Sequence, residues 1–425
     1  MMGKRHLIFY GAGRQAQYLF SGGMTGYQQF PVPSLEDGVC FADADKRKYQ
    51  KHFLGLPVMS IEDALERYPD ADIYVALGFP AKYMVFGFLT EELCISPERI
   101  LNYEQVEKYA SCEYLQGYLL IQREELGFCF DSFGRNKPPI VKKQSDTETS
   151  IDRFIKEKTS LIKQVREGQD GHPCAGCRDI RVRYWPNEYR IRHLNFYDYR
   201  GCNIQCSYCD VKKTIAEAKR PSEVFNYVKF IDYLNESGLI DEDFRCDIQP
   251  GEITVHPYKN EILSAVKLYP NVFFTNALIY DQGIAEILEN GLSYVYVSVD
   301  AGTRETFSSI KGIDAFERVC RNIREYSKHG TVELKYIILP GINDNYQDMY
   351  GFIQLCESIQ VQNVMISRNY HGWQTISNEQ LQFTIEMYEA LMGKSIPVSI
   401  PAWQYSDEEN KRITDTLKEK GIERY

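Results

Sequence analysis

The chain has 425 residues, 44% of them hydrophobic and 25% charged, with a formal net charge of −10. That length allows about two to three cores of ordinary size, and the acidic balance argues against binding nucleic acid or an anionic membrane. No apolar run approaches the roughly 18 residues that span a bilayer, and twelve cysteines in so long a chain suit a reducing cytoplasm better than a disulfide framework.

Residues 1–135 read as a small α/β domain. The run His6-Leu7-Ile8-Phe9-Tyr10 is a buried strand, and Gly11-Ala12-Gly13-Arg14-Gln15-Ala16 opens a helix. A strand near Val39–Ala42 ends at Asp43 and Asp45, and another over 73–77 ends at Gly78. Strand, G-x-G-x-x-A, helix, strand and acid is the order of a mononucleotide-binding half, so the expected fold is Rossmann-like. Gly11 and Gly13 would let backbone amides approach a phosphate, making a nucleotide a candidate ligand. The segment resembles the small nucleotide-binding domain that fronts some sugar-modifying enzymes. A Rossmann-like docking module without a nucleotide is the alternative.

Residues 136–150 read as a linker, with Lys137-Pro138-Pro139 followed by a polar cluster. From 151 to 425 a second domain is expected. Ile151, Phe154, Ile155, Ile162 and Val165 share one helical face before Gly168. Strand signals then fall near 191–197, 244–248, 272–275, 294–298, 332–338 and 363–367. Helical signals fill the intervals at 223–234, 258–268, 283–289, 315–327 and 346–359, with another at 380–391. Parallel neighbours need crossovers and helices supply them, so this domain is expected to be a partial (β/α)6 TIM-like barrel with its core at about 190–400. Its chemistry should sit on loops at the strands' C-terminal ends. A closing strand at 396–400 and a helix at 405–420 complete the chain.

Cys202, Cys206 and Cys209 form a C-x3-C-x2-C loop between the first two of these strands. Three thiolates on one loop can hold three irons of a [4Fe-4S] cluster and leave the fourth open. With Tyr208 just before the last cysteine, the loop resembles the signature of the radical S-adenosylmethionine (SAM) superfamily. That resemblance implies SAM on the open iron and an enzyme that makes a 5′-deoxyadenosyl radical to abstract hydrogen from a substrate. Later loops extend it. Gly251-Glu252 looks like the family's G-G-E segment with Pro250 replacing the first glycine, and Glu252 would accept bonds from SAM's ammonium. Thr275-Asn276-Ala277 resembles its T-N-G turn. Ser298-Val299-Asp300-Ala301-Gly302 resembles S-x-D-x-G, which implies that Ser298 and Asp300 reach SAM's ribose and carboxylate. Lys335 and the turn through Gly341 resemble the adenine-packing segment, and Arg368 is a candidate carboxylate partner.

Paired Cys174/Cys177 and Cys206/Cys209 offer a zinc alternative, but they lie 28 residues apart and the pairing strands Cys202. Cys174 and Cys177 are instead candidate ligands of a second metal site, with Cys246 a further candidate. The substrate reading is a small molecule, carbohydrate or nucleotide-linked, with a one-electron donor such as flavodoxin or ferredoxin as partner. A peptide-modifying or partner-activating protein is the alternative. No residue is assigned as catalytic toward substrate, although Tyr370-His371-Gly372-Trp373 falls where a substrate wall would be.

Overall fold

A computed structural model describes residues 6–20, 32–122, 125–129, 141–142, 146–177, 179–209, 213–218, 226–249, 251–369, 377–401 and 404–422. Pro250, the segment 370–373 and most of the expected linker lie outside the described residues. The protein is mixed α/β with parallel sheets. It divides into two compact units, one of residues 1–195 and 222–246, the other of 196–221 and 247–425. Among the described residues no helix is long and apolar enough to cross a membrane.

The first unit opens with a five-stranded sheet. Leu7–Tyr10 lies between Gly38–Ala42 and Asp72–Val75, parallel to both, and Leu56–Met59 extends the sheet in parallel beyond Gly38–Ala42. Strand alternation sends Ile8, Tyr10, Cys40, Ile73 and Val75 into one core, while Leu7, Phe9, Phe41 and Tyr74 enter the other. Both faces of this sheet are therefore buried, which explains why its strands read as short continuous apolar runs.

Further along the unit, Val106–Ser111 pairs antiparallel with Arg181–Pro186, setting Ser111 opposite Arg181. The helix Thr147–Arg166 is capped by Asp146 and followed by Gly168 at φ +63°. A left-handed residue ends a helix at no cost when it lacks a Cβ, so the expected stop is met. Arg192 and Asp241 form a fully buried ion pair at 2.8 Å.

The second unit holds five consecutive parallel strands in the order Asn271–Thr275, Tyr294–Ser298, Thr331–Ile338, Asn363–Arg368 and Val398–Ser399. Helices Gln282–Leu288, Phe316–His329, Tyr346–Ile359 and Asn378–Gly393 occupy the crossovers, within a few residues of their expected bounds. The expected strands at 191–197 and 244–248 form as Ile191–Tyr197 and Ile240–Ile248, and the last residues of each belong to this second unit. Asp407–Glu419 closes the chain behind a capping box of Ser406 and Glu409.

Candidate active site

The cysteine loop is held by backbone on both flanks. Gly251 N–H donates to Tyr199 O at 3.2 Å and Glu252 N–H to Gly201 O at 3.0 Å. A Cβ on Gly251 would stand 2.6 Å from Gly201 O, so this glycine is needed for the approach of one loop to the other. On the far flank Ser207 N–H donates to Ile310 O at 2.8 Å. Behind the Glu252 loop, His256 Nδ1 accepts Tyr258 N–H at 3.0 Å, and its Nε2 stands 3.6 Å from Asp198 Oδ1.

Tyr208 reaches inward, its hydroxyl donating to Asp300 Oδ2 at 2.5 Å. The Lys311 ammonium donates to the same carboxylate oxygen and, at 2.9 Å, to the Tyr208 hydroxyl. Asp300 Oδ1 accepts Ile337 N–H at 2.7 Å, while Asn343 Nδ2 donates to Asp300 O at 2.8 Å. Asp300 is completely buried and both carboxylate oxygens are engaged within the protein. Asp300 thus braces the site, tying the cysteine loop to two strand ends, while its Oδ1 accepts one hydrogen bond, from Ile337 N–H. Lys311 and Asn343 carry this bracing with it. Their sequence signal was thin, a lysine inside the helix Arg304–Lys311 and an asparagine in a turn.

Glu252 is buried, and Oε1 accepts Thr254 N–H at 3.1 Å, Thr254 Oγ1–H at 2.8 Å and Thr275 Oγ1–H at 2.8 Å. Oε2 accepts Asn276 N–H at 2.7 Å, which leaves that oxygen a lone pair for an outside ammonium. Burial raises this carboxyl's pKa, opposed by the bonds from Asn276 and Thr254. Asn276 Nδ2 in turn donates to Asn203 Oδ1 at 2.7 Å and to Cys202 Sγ at 3.5 Å, putting the T-N-G-like turn against the cysteine loop.

Ala277 stands where the family's glycine would, and it takes the left-handed conformation at φ +55°. Ala277→Gly removes that strain of about 1–2 kcal/mol but loosens the unfolded chain, so a net gain below about 1 kcal/mol is expected. A melting temperature slightly above wild type checks it; an unchanged or lower one refutes the strain argument.

The remaining expected residues are more dispersed. Ser298 is half-buried at its strand end and in register with Lys335, whose ammonium pKa is lowered by burial. Gly341 sits in an exposed turn at φ +71°, its N–H donating to Asp344. Arg368 turns to the C-terminal segment, donating to Gln404 O and Glu409 Oε2, both at 3.4 Å.

Gly11, at φ +106°, is packed against Leu77, whereas a Cβ on Gly13 would meet nothing within 4 Å. Ala12 N–H donates to Asp43 Oδ2 at 2.8 Å, and Asp43 also pairs with Lys48. The chain's own carboxylate thus fills the loop where a phosphate was expected, and the nucleotide expectation gains no support from it.

The donor set of the 202–209 loop suits iron. Burial pushes the Cys202 thiol up to about 11 and raises that of Cys206, with Lys311 opposing the second shift. Thiolates there need a strong positive partner at neutral pH, which a metal cluster supplies. Three thiols on one braced loop, with a carboxylate lone pair nearby, fit a [4Fe-4S] cluster with SAM.

Residues 196–356 match the family model described as the radical SAM superfamily. The chain carries a radical SAM domain. GTP 3′,8-cyclase of Chlorobaculum tepidum is 29% identical over 161 residues, which are 36% of this chain and 47% of that protein. The antilisterial bacteriocin subtilosin biosynthesis protein AlbA of Bacillus subtilis is 29% identical over 145 residues, 32% of this chain and 31% of that protein. The chain thus spans less than half the length of these relatives. Streptococcus suis SuiB bound to S-adenosylmethionine is similar at a TM-score of 0.41 with 11% identity, over 59% of this chain and 56% of that one.

Proposed function

We propose that this radical SAM domain is an active enzyme, and the braced three-cysteine loop is the observation that carries the proposal. When bound and reduced, the cluster with SAM supplies a 5′-deoxyadenosyl radical. The chain's own residues would hold and orient the parts. Cys202, Cys206 and Cys209 would ligate three irons. Glu252 Oε2 would accept the SAM ammonium, and Ser298 would contact its ribose. Lys335 and the turn at Gly341 would line the adenine, while Arg368 anchors the closing segment. Tyr208, Asp300 and Lys311 keep the loop rigid, so the cluster does not drift from the bound SAM. A flavodoxin- or ferredoxin-type donor would deliver the electron.

For the substrate we favour a small molecule, carbohydrate or nucleotide-linked. The parallel sheet of the first unit, read as Rossmann-like, and the similarity to a GTP cyclase support this. Calorimetry that finds no binding of UDP-, GDP- or CDP-sugars would remove the nucleotide-sugar reading, which also requires Asp43 to leave the Gly11 loop. The similarity to AlbA favours a second reading, a peptide substrate.

Anaerobic reconstitution with iron and sulfide, followed by dithionite and SAM, is expected to yield 5′-deoxyadenosine from the wild type. The Cys202→Ala, Cys206→Ala, Cys209→Ala variant should yield none above background. Equal yields from the two proteins would refute the proposal, and a yield that appears only with an added protein would favour the partner-activating alternative.

A further inference from the structure

Among the described residues, four lysine and arginine side chains are buried: Lys82, Lys158, Arg192 and Lys311. Three have carboxylates. Lys82 pairs with Glu104 at 2.9 Å, Arg192 with Asp241 at 2.8 Å, and Lys311 with Asp300. Lys158 has no carboxylate partner among the described residues. Its ammonium donates to Tyr118 O and lies over the rings of Phe128 at 4.9 Å, Phe154 at 5.4 Å and Tyr189 at 4.7 Å. Rings and one carbonyl stabilise a buried ammonium far less than its lost hydration costs. The Phe128 ring that it covers belongs to the residue directly before Cys129, which brings a thiol close to the ammonium.

The strand pairing explains how further thiols gather there. With Ser111 opposite Arg181, Cys112 falls beside the segment that precedes Arg181. That segment is the Cys174-Ala175-Gly176-Cys177 turn, closed by Cys177 N–H donating to Cys174 O at 3.1 Å, with Gly176 at φ +71°. Cys112 caps the helix Glu113–Gly117 through its sulfur, and Ile180, directly before Arg181, donates its N–H to Cys177 O at 3.3 Å, which ties the turn to this register. Cys129 follows the strand Glu125–Gly127, which is paired with Tyr118–Gln122, the strand that begins where the Cys112-capped helix ends. Cys112 and Cys174 are buried, so their burial is compatible with a closed structural centre.

We propose that Cys112, Cys129, Cys174 and Cys177 bind one zinc ion, with Lys158 as the buried cation that offsets the thiolate charge. Tetrahedral thiolate sets suit zinc, and a turn of two cysteines two residues apart supplies half of one. Among the described residues no three His, Cys, Asp or Glu side chains stand preassembled around one point, and that holds for the 202–209 cysteines as well. Metal binding is coupled to the closing of such sites, so the thiols are drawn together as the ion enters. The site includes Cys112 and Cys129 in place of Cys246, which lies on the strand Ile240–Ile248.

The test uses the full chain with Cys202→Ala, Cys206→Ala and Cys209→Ala, so it does not depend on the radical SAM reading. Elemental analysis after purification with zinc should find about one equivalent per chain, and cobalt substitution should give thiolate charge-transfer absorption with tetrahedral bands. Adding Cys174→Ser and Cys177→Ser should abolish both, whereas adding Cys246→Ser should leave them intact. Alkylation of the zinc-loaded protein, mapped by mass spectrometry, needs no further substitution. Zinc should slow modification at residues 112, 129, 174 and 177 at least about tenfold relative to exposed Cys94. No zinc, zinc kept without Cys174 and Cys177, unprotected thiols, or an iron–sulfur chromophore at these cysteines would each overturn the proposal.

Discussion

Gly302→Ala is expected to lower the melting temperature sharply. A Cβ there would stand 1.8 Å from the Asp348 carbonyl oxygen and 2.5 Å from Phe352 N, both backbone atoms of the helix Tyr346–Ile359. The crossing is reciprocal, because a Cβ on Gly351 would stand 2.2 Å from Gly302 O. A flexible side chain could swing away, but backbone moves only if the whole helix moves. The Asp348 carboxylate would be displaced too, and it accepts the Gly302 N–H at 2.9 Å and the Thr303 N–H at 3.0 Å. Overpacking costs about 1–3 kcal/mol where side chains can adjust, so a loss above about 3 kcal/mol is expected here. Thermal denaturation by circular dichroism decides the matter. Gly13→Ala, which enters open space, should melt close to wild type, and equal melting of the two variants would refute the steric argument.

Lys311→Met should be nearly as damaging, for an electrostatic reason. It leaves the Asp300 carboxylate at zero exposure without its cation, although the bonds from Tyr208 and Ile337 N–H remain. Breaking a buried pair by removing one partner costs about 3–5 kcal/mol, because the survivor is an uncompensated charge. Adding Asp300→Asn should restore part of the loss, giving a coupling of about 1–3 kcal/mol in a double-mutant cycle. Denaturant titration of the four proteins measures that coupling, and simple additivity would contradict it. A second consequence lies at the cysteine loop. Without Lys311 the Tyr208 hydroxyl loses one of its two fixed partners, so reconstituted Lys311→Met should make less 5′-deoxyadenosine per assembled cluster.

Much of this architecture was legible in the chain. The alternation of apolar runs and amphipathic stretches located the strands and crossover helices, because burial repeats every second or every three to four residues whatever the partner. Helix ends were read from Gly168, and the 202–209 loop from cysteine spacing alone. Residue roles were less legible. Nothing in the sequence signalled that Gly302 packs against a helix through Gly351, or that Asp300 is held by Tyr208, Lys311 and Ile337. Gly11 and Gly13 looked alike, yet only Gly11 is packed against a neighbouring side chain.

By itself the sequence determined the order of elements, the three-thiol loop and the carboxylate of Glu252, since each depends on residues a few positions apart. Only the tertiary structure decided which lone pair of Glu252 stays open, that Lys311 meets Tyr208 across 103 positions, and that Ser111, beside Cys112, lies opposite Arg181. Those pairings arise where strand register and loop packing bring distant backbone together, and no local pattern of residues encodes that register.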